Sequence, residues 1–489
     1  MAILIVTNQP KDWPTKIDNV DVVDAKAYLT DARFSEARNV KVFNLCRSYR
    51  YQSVGYYVSL LAEARGHKPV PSVTTLQDIK SQAIVRIVSG ELDELIQKSL
   101  GPIRSNKFEL SVYFGRNLAH RYERLALNLF NQFQAPLIRA EFTRTKDRWT
   151  LRRVAPISTS DVPDSHWPFL IDSAVHHFSR RSGAGRKRQH ARFDMAILHN
   201  PDDPEPPSDA GALRKFISAA AHLGIAAELI TKDDYGRLGE YDALFIRDTT
   251  YVNRYTYRFA RRAETEGLVV IDDPRSIVRC TNKVYLAELL ARNRVPIPRT
   301  LVVHNENKQT LKEVLGLPCV LKKPDSSFSK GVIKVSDESE LEVRLKEFLD
   351  ESELVVAQEY LPTTFDWRIG IIDREPLYAC KYYMAKGHWQ IIKQDAEGHE
   401  RYGKAETIPV ELAPRAAVRA AVKAANLVGD GFYGVDIKES NGEFYVIEVN
   451  DNPSIDSKYE DAVLKDQLYR RVMQVFLSRI EQRKAGVGR

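Results

Sequence analysis

The chain has 489 residues, of which 43% are hydrophobic and 28% are charged, and its formal net charge is +7. This composition excludes a mostly disordered chain, and the length predicts two to four domains. The mild positive charge is compatible with an acidic partner such as a nucleotide, an acidic peptide or a nucleic acid. We favour the simpler interpretation, in which this charge only aids solubility.

The cysteines and apolar runs indicate the cellular setting. The four cysteines are far apart and form no CxxC pair, which argues against a disulfide scaffold or a zinc site and favours a reducing, cytoplasmic location. They are Cys46, Cys280, Cys319 and Cys380. No apolar run reaches the ~20 residues of a membrane span, so we expect no membrane partner. The short run 3–6 lacks a basic leader and predicts a buried strand.

The pattern along the chain predicts four segments. Residues 1–160 form an N-terminal α/β domain, and residues 161–192 form a basic linker. Strands alternate with helices over 193–300, which predicts a small α/β domain with a parallel sheet. Residues 301–485 form a further domain, in which strands alternate with helices and about 367–393 is rich in β-structure.

The linker prediction rests on a run of basic residues without acidic ones after Asp172. These residues are Arg180, Arg181, Arg186, Lys187, Arg188 and Arg192. Such a run is a solvated tether or a contact for an acidic partner or nucleic acid, and we favour the tether.

A hairpin near the C-terminus carries the most informative pattern. Two apolar-rich runs flank a Ser-Asn-Gly turn at 440–442. Glu448 and Asn450 are two residues apart on one strand and therefore share a face. With Asp436 from the other strand they would supply two carboxylates and an amide, which are hard oxygen ligands suited to Mg²⁺. The alternative is an exposed polar face, but Glu448 lies among apolar residues, where an unpaired acid is costly.

Whether Asp436 joins that face depends on the register of the hairpin. A three-residue loop pairs Glu439 with Glu443 and brings Asp436 to the side of the other two ligands. A two-residue Asn-Gly turn would place Asp436 on the opposite side unless a bulge intervenes. We predict the three-residue loop because it gathers the apolar residues on one buried face. These are Val435, Ile437, Ile447 and Val449.

Features suited to phosphate lie upstream of the hairpin. Lys322 ends an apolar strand, and a loop of small residues, 324–331, follows it. We call this loop the phosphate loop. The ammonium would neutralise a triphosphate while loop amides bond its oxygens. Lys283, just before a helix, is a second candidate cation, although a solvated lysine is the default for that position. No GxxxxGK[ST] motif is present, so a P-loop is not supported.

In their order along the chain, these features resemble the ATP-grasp superfamily and, within it, the RimK-like ligases. The closest stretches are 434–437 and 447–450, and the resemblance covers about 193–485. Residues 1–160, above all 46–53, are similar to the N-terminal domain attached to one RimK-like subgroup. The resemblance implies an α/β protein that is α+β in its C-terminal part. Its ATP-grasp fold would follow a pre-ATP-grasp domain and a separate N-terminal α/β domain.

The resemblance implies an ADP-forming carboxylate–amine ligase that makes an amide or peptide bond through an acyl-phosphate. The implied cofactors are ATP and Mg²⁺, with two metal ions and Mn²⁺ as an alternative. The implied substrates are L-glutamate, another amino acid or a small carboxylate, together with an amine acceptor that is a peptide, a protein or a metabolite. A homo-oligomer is common among such ligases.

The resemblance also implies roles for individual residues. Arg368 would orient the acyl-phosphate or a carboxylate substrate, and Lys381 would make a further phosphate or substrate contact. The implied ATP contacts are Lys283, Lys322, Ser326, Ser327, Gly331, Gln358, Glu359, Tyr360 and Asp366. The implied metal ligands are Asp436, Asn450 and a bridging Glu448.

One departure from the family concerns the substrate. The triplet at 390–392, Gln-Ile-Ile, stands where the ribosome-modifying glutamate ligase has Arg-Ser-Asn, which implies a different carboxylate or acceptor. Two other functions stay open: an ATP-grasp kinase of small molecules and a non-catalytic nucleotide-binding regulator. The intact metal-ligand set argues against the regulator. A nucleic-acid-binding role rests only on the basic linker.

Overall fold

The computed structural model describes residues 2–37, 40–179, 191–325, 331–385, 389–394 and 400–485. The chain forms two compact units. The first comprises Met1–Asp194, Gly224–Ala226 and Asp233–Asp242; the second comprises Met195–Leu223, Ala227–Lys232 and Ala243–Arg489. Within the described ranges, every helix is too short or too polar to cross a bilayer.

A parallel sheet opens the first unit. Its strands are β1 (Ala2–Thr7), β2 (Val20–Asp24), β3 (Val40–Asn44) and β4 (Lys68–Val70), in the order β2-β1-β3-β4. Leu4, Ile5 and Val6 form one apolar run that is buried, as in sheets covered on both faces. The helices of this part are α1 (Ala25–Thr30), α2 (Ala32–Glu36), α3 (Val54–Ala64) and α4 (Val73–Asp78).

An antiparallel sheet follows, packed against three helices. The helices are α5 (Gln82–Glu91), α6 (Asp93–Leu100) and α7 (Glu123–Phe133), and the strands are β5 (Lys107–Tyr113), β6 (Leu137–Thr145) and β7 (Arg148–Pro156). Alternate residues of β6, including Ile138, Ala140 and Phe142, are buried in one core with residues of α7. The period of two therefore sets which sheet face meets the helices.

A helix, α8 (Trp167–Ser179), occupies part of the segment predicted as linker. Its Leu170, Ala174 and Phe178 are successive turns of one face and are buried in the core of the first unit. The linker prediction is therefore wrong for residues 167–179, because their apolar stripe packs instead of being solvated. The arginine-rich stretch 180–190 lies outside the described residues.

A buried ion cluster belongs to the same unit. Lys41 of β3 is fully buried, and its Nζ lies 2.8 Å from Oε2 of Glu240. His177 of α8 lies 3.2 Å from the other carboxylate oxygen of Glu240. Glu240 ends the 3₁₀ segment Lys232–Glu240. A buried lysine needs such a counter-charge, because removing one partner leaves an uncompensated charge in the core.

A second parallel sheet confirms the α/β pattern predicted from residue 193 onward. Its strands are β8 (Phe193–Leu198), β9 (Ile225–Ile230), β10 (Ala243–Ile246) and β11 (Val269–Ile271), in the order β11-β10-β8-β9. The helices of this part are α9 (Ala210–His222), α10 (Tyr255–Thr265), α11 (Pro274–Thr281) and α12 (Lys283–Arg292). Strand β10 runs parallel to both of its neighbours.

The remaining chain of the second unit is built on antiparallel sheets. The first contains β12 (Thr300–Val303), β13 (Cys319–Lys322), β14 (Val332–Val335) and β15 (Val355–Glu359), in the order β12-β15-β13-β14. Helices α13 (Leu311–Leu315) and α14 (Glu338–Glu351) share its apolar core.

The remaining elements of the second unit, in chain order, are β16 (Phe365–Ile372), β17 (Glu375–Tyr383), β18 (Ile392–Gln394), β19 (Glu400–Tyr402), β20 (Ala405–Ile408), α15 (Arg415–Val428), β21 (Phe432–Ser440), β22 (Glu443–Asp451) and α16 (Asp466–Lys484). Five of these strands form a sheet with the order β20-β17-β16-β21-β22. Helix α15 packs its alanines on one face of the sheet, with Trp367, Val435 and Ile437. The polar residues between these apolar ones therefore point to the opposite face, which we call the site face.

Candidate active site

The hairpin of β21 and β22 brings the three predicted metal ligands together on the site face. Asp436 pairs directly with Glu448, and Gly434 pairs with Asn450. Residues opposite each other in a sheet lie on the same side of it. The side chains also touch, since Nδ2 of Asn450 donates to Oδ2 of Asp436 at 3.1 Å.

The turn of this hairpin differs from our prediction. Ser440 pairs with Glu443, so the loop consists of Asn441 and Gly442 alone. These two residues have φ angles of 53° and 79°. Positive φ at both positions is the requirement of a type I′ turn, which Asn-Gly meets with little strain. The predicted three-residue loop is therefore wrong.

A bulge returns Asp436 to the site face. The pairing shifts between Asp436 and Ile437, so that β22 contains one extra residue, Ile447, at this point. Ile437 pairs with Val446, which is fully buried, whereas Ile447 is only partly buried. Val446 thus takes the core position that we had predicted for Ile447.

Both carboxylates of the site are engaged with cations. Arg368 of β16 donates from Nε and Nη2 to the two oxygens of Asp436 at 2.6 and 2.8 Å, a bidentate pair. Nζ of Lys283 lies 2.9 Å from Oε1 of Glu448. Burial alone would raise the pKa of Glu448, but Lys283 and Lys322 hold that pKa below its ordinary value. Glu448 is therefore ionised at neutral pH.

The two predicted phosphate-binding lysines converge on the hairpin. Lys283 begins α12 and Lys322 ends β13, and each is only 8% exposed. The backbone N–H of Lys283 donates to the carbonyl of Pro324 at 2.7 Å, which ties the helix to the start of the phosphate loop. Burial lowers the pKa of Lys322 from 10.5 to about 8, so the ammonium form still predominates at pH 7.

Lys438 is a residue of this site that the sequence analysis missed. It lies two positions after Asp436 on β21, so both side chains point to the site face. Its Nζ lies 2.7 Å from Oδ1 of Asp366 and 2.7 Å from Oγ1 of Thr363. Burial raises the pKa of Asp366 and Lys438 opposes that effect. The period of two along β21 was the signal that would have identified Lys438.

Lys381, in contrast, does not reach the site. It pairs with Trp367, and its Nζ lies 5.2 Å from the centroid of that ring. Trp367 packs in the core with α15, so Lys381 points to the face opposite Arg368. The register of β16 and β17 places Cys380, not Lys381, beside Arg368. The structure therefore corrects the predicted role of Lys381.

A small cavity with apolar walls adjoins the two lysines. Its lining consists of Lys283, Leu286, Ala287, Leu290, Ile297, Lys322, Val356, Gln358, Val446 and Ile447. Gln358, predicted as a nucleotide contact, lies there and donates from Nε2 to Oγ1 of Thr300 at 2.9 Å. Apolar walls next to cations suit a flat heterocycle joined to phosphates.

The other predicted nucleotide contacts either are not among the residues that line this cavity or lie outside the described residues. The carboxylate of Glu359 is turned to Arg299, whose Nε lies 2.8 Å away. The ring of Tyr360 lies under Nζ of Lys334, 4.0 Å from its centroid. Gly331 has a φ of 78°, and its carbonyl accepts a hydrogen bond from the backbone N–H of Lys323 at 2.9 Å. The two predicted serine contacts, Ser326 and Ser327, lie outside the described residues.

Comparison with known proteins adds two matches to this geometry. Residues 280–469 match the sequence profile of the RimK-like ATP-grasp domain. The chain therefore contains a RimK-like ATP-grasp domain. Residues 25–173 match the RimK-like ATP-grasp N-terminal domain, a span that runs into α8. Both resemblances noted in the sequence are thereby confirmed.

Relatives of this ATP-grasp protein are named probable alpha-L-glutamate ligases. That of a Marinomonas species is 28% identical over 233 residues, 47% of this chain and 74% of the relative. That of Alcanivorax borkumensis is 27% identical over 258 residues, 52% of this chain and 80% of the relative. Among solved structures, the D-alanine–D-alanine ligase of Bacillus anthracis is 16% identical with a TM-score of 0.46, covering 60% of this chain and all of that one.

The ligand set of this ATP-grasp protein can be tested against magnesium. Among the described residues, no three His, Cys, Asp or Glu side chains form a group able to hold a metal by themselves. The site offers two carboxylates, Asp436 and Glu448, and the amide of Asn450. Magnesium typically takes one or two protein carboxylates and completes its shell with phosphate oxygens and water. The donor set fits an ion shared with a nucleotide and does not fit a closed protein cage.

Proposed function

We propose that the protein is an ATP-dependent ligase that joins the carboxylate of an amino acid to an amine and releases ADP. The observation that carries this proposal is that each carboxylate of the site lies against a cationic side chain. Asp436 is clasped by Arg368, and Glu448 by Lys283 with Lys322 nearby. Cations for a triphosphate and a fixed guanidinium for a carboxylate thus meet around one acidic pair.

The proposed reaction has two displacements. A carboxylate oxygen of the amino acid attacks the γ-phosphorus of ATP, the bond to ADP breaks, and an acyl-phosphate forms. The amine then attacks the acyl carbon, inorganic phosphate leaves, and the nitrogen loses its proton as the amide forms. Magnesium, when bound, would offset charge on the transferred phosphoryl group.

The charged residues gathered at this site have distinct roles in the proposed reaction. Lys283 and Lys322 neutralise the phosphates, and their burial strengthens that effect because little water screens them. Asp436, Glu448 and Asn450 would hold the metal, and we propose two Mg²⁺ ions, or Mn²⁺ in their place.

Nucleotide and substrate would lie on either side of these charges. The apolar side chains beside Lys283 and Gln358 would contact the adenine, and the cavity there, about 20 Å³, would have to widen to admit it. Arg368 donates Nε and Nη2 to Asp436, and its Nη1 makes no hydrogen bond to any described residue. That nitrogen is positioned to bind an oxygen of the carboxylate or acyl-phosphate.

The name carried by the relatives makes L-glutamate the first candidate for the amino acid. The acceptor would be a peptide, a protein or a small amine. The Gln-Ile-Ile triplet at 390–392 keeps other amino acids open, because it lacks the arginine that the ribosome-modifying ligase has there. The four cysteines are free and buried, as suits a protein of a reducing compartment, and we infer a cytoplasmic location.

A screen of ADP release tests the proposal. Each amino acid is incubated with ATP and with each member of a panel of amines and peptides. The masses of the products are then determined by mass spectrometry. A ligase gives a product whose mass equals that of the acid plus that of the amine minus that of water. One mole of ADP is released for each mole of this product. ADP with a stable phosphorylated product and no need for an amine would instead identify a small-molecule kinase. ATP binding without ADP under all conditions would identify a regulator and refute the proposal.

A further inference from the structure

The orientation of Arg368 is fixed on more than one side. Its Nε and Nη2 donate to the two carboxylate oxygens of Asp436. The guanidinium carbon also lies 5.2 Å from the ring centroid of Tyr382, a cation–π contact. A planar guanidinium that binds by one edge and stacks on a ring presents its remaining edge in one direction.

Tyr382 is itself anchored at its hydroxyl. The hydroxyl donates to Oε1 of Glu460, a carboxylate that is 3% exposed. The other oxygen of Glu460 accepts from the backbone N–H of Asp456 at 2.7 Å. Burial raises the pKa of Glu460, which shows that the protein keeps this acid in an unfavourable place. Both of these hydrogen-bond donors are neutral, so no direct ion pair with a described residue accounts for the burial of Glu460.

We propose that Tyr382 and Glu460 are positioning residues, which hold the guanidinium of Arg368 so that Nη1 faces the oxygen of the substrate carboxylate or acyl-phosphate. The inference rests on the proposed function, since it assigns Arg368 to that substrate. Glu460 fixes the hydroxyl, the ring of Tyr382 fixes the plane of the guanidinium, and Asp436 fixes its rotation in that plane. Neither positioning residue needs to touch the substrate.

The same strand offers a matched control. Tyr383 follows Tyr382 on β17 and so points to the opposite face. Its hydroxyl donates to Glu406 at 2.8 Å, which repeats the tyrosine–glutamate pair away from the site. Tyr383→Phe and Glu406→Gln therefore make the same chemical changes without reaching Arg368.

The kinetic test measures L-glutamate-dependent ADP release. Tyr382→Leu removes the ring and is expected to lower kcat/KM for L-glutamate about 10- to 30-fold, while KM for ATP stays within about 2-fold. Tyr382→Phe and Glu460→Gln, which keep the ring, are expected to lower it about 3- to 10-fold. The two control variants are expected to match the wild type. Equal losses in the control pair, or a parallel rise in KM for ATP, would show a general structural effect and overturn the proposal.

A second measurement does not depend on catalysis. The Nε–H signal of Arg368 is recorded by ¹⁵N NMR and assigned by its absence in Arg368→Lys. We expect a sharp signal with slow rotation of the guanidinium in the wild type and in both control variants. Tyr382→Leu and Glu460→Gln should broaden that signal or speed the rotation.

The two measurements separate the possible failures. An unchanged NMR signal in well-folded Tyr382→Leu and Glu460→Gln would refute the positioning role. If Arg368→Lys retained full ADP release, the proposed function of Arg368 would fail, whatever the NMR result. Should Tyr382→Leu not fold, Tyr382→Phe and Glu460→Gln decide the question, because they keep the packing of the ring.

Discussion

Replacing Lys322 by methionine should stabilise the protein while weakening its hold on ATP. The ordinary pKa of lysine is 10.5, and burial lowers that of Lys322 to about 8. At ~1.4 kcal/mol for each pH unit, the protonated side chain costs the folded state ~3 kcal/mol relative to the unfolded chain. That cost already includes the attraction of Glu448, so we expect a net gain of ~3 kcal/mol at pH 7, or about 6 °C in Tm at ~2 °C for each kcal/mol.

The pH dependence of this gain follows from the direction of the shift. Between pH 8 and pH 10.5 the unfolded chain still binds the proton that folded Lys322 has released. The wild type therefore gains stability as pH rises through this range, and below pH 8 the cost is present in full. Lys322→Met has no such group. Its advantage should be largest at pH 7 and should shrink to near zero above pH 10.5.

The assay is thermal unfolding of both proteins at pH 7 and pH 10.5, without nucleotide and with a chelator. The matched control is Lys323→Met: Lys323 is the next residue, but its side chain is 31% exposed and lies 2.5 Å from a carboxylate oxygen of Glu351. That change should alter stability by about 0.5 kcal/mol or less. Calorimetric titration should show ATP binding weakened about 10-fold or more in Lys322→Met only. A variant less stable than the wild type at pH 7 would refute the reasoning.

Three further predictions follow from the site and from the buried ion cluster. Glu448→Gln should abolish ADP release and leave the circular dichroism spectrum unchanged, because a neutral amide binds magnesium more weakly than the carboxylate that we propose as its ligand; an active, well-folded variant would contradict the metal assignment. Lys438→Ala should slow ADP release about 10-fold or more, whereas Lys381→Ala, on the other face of the sheet, should stay within about 2-fold. Glu240→Gln should destabilise the first unit by about 3–5 kcal/mol in urea unfolding, since Lys41 would be buried without its counter-charge; a loss below about 1 kcal/mol would show that the cluster tolerates a neutral partner.

Local pattern was sufficient for several features of this protein. Because side chains alternate along a strand, Glu448 and Asn450 had to share a face, and the same rule applied to Lys438 would have added it to the site. The helical spacing of Leu170, Ala174 and Phe178 is also visible in the sequence. We nevertheless predicted a linker for the whole stretch, because a run of arginines follows it. These features depend only on residues close in the sequence, where period and residue type decide the outcome.

Tertiary structure decided the features that depend on how distant strands align. The bulge at Ile447 compensates for a two-residue turn, and neither could be separated from a three-residue loop by the apolar pattern alone. Lys381 stands on the wrong face because β17 pairs with β16 in a register that puts Trp367 opposite it. The contact of Arg368 with Asp436 joins residues far apart in the chain. Register between strands is set by the packing of whole sheets against α15, and a shift of a single residue exchanges the two faces.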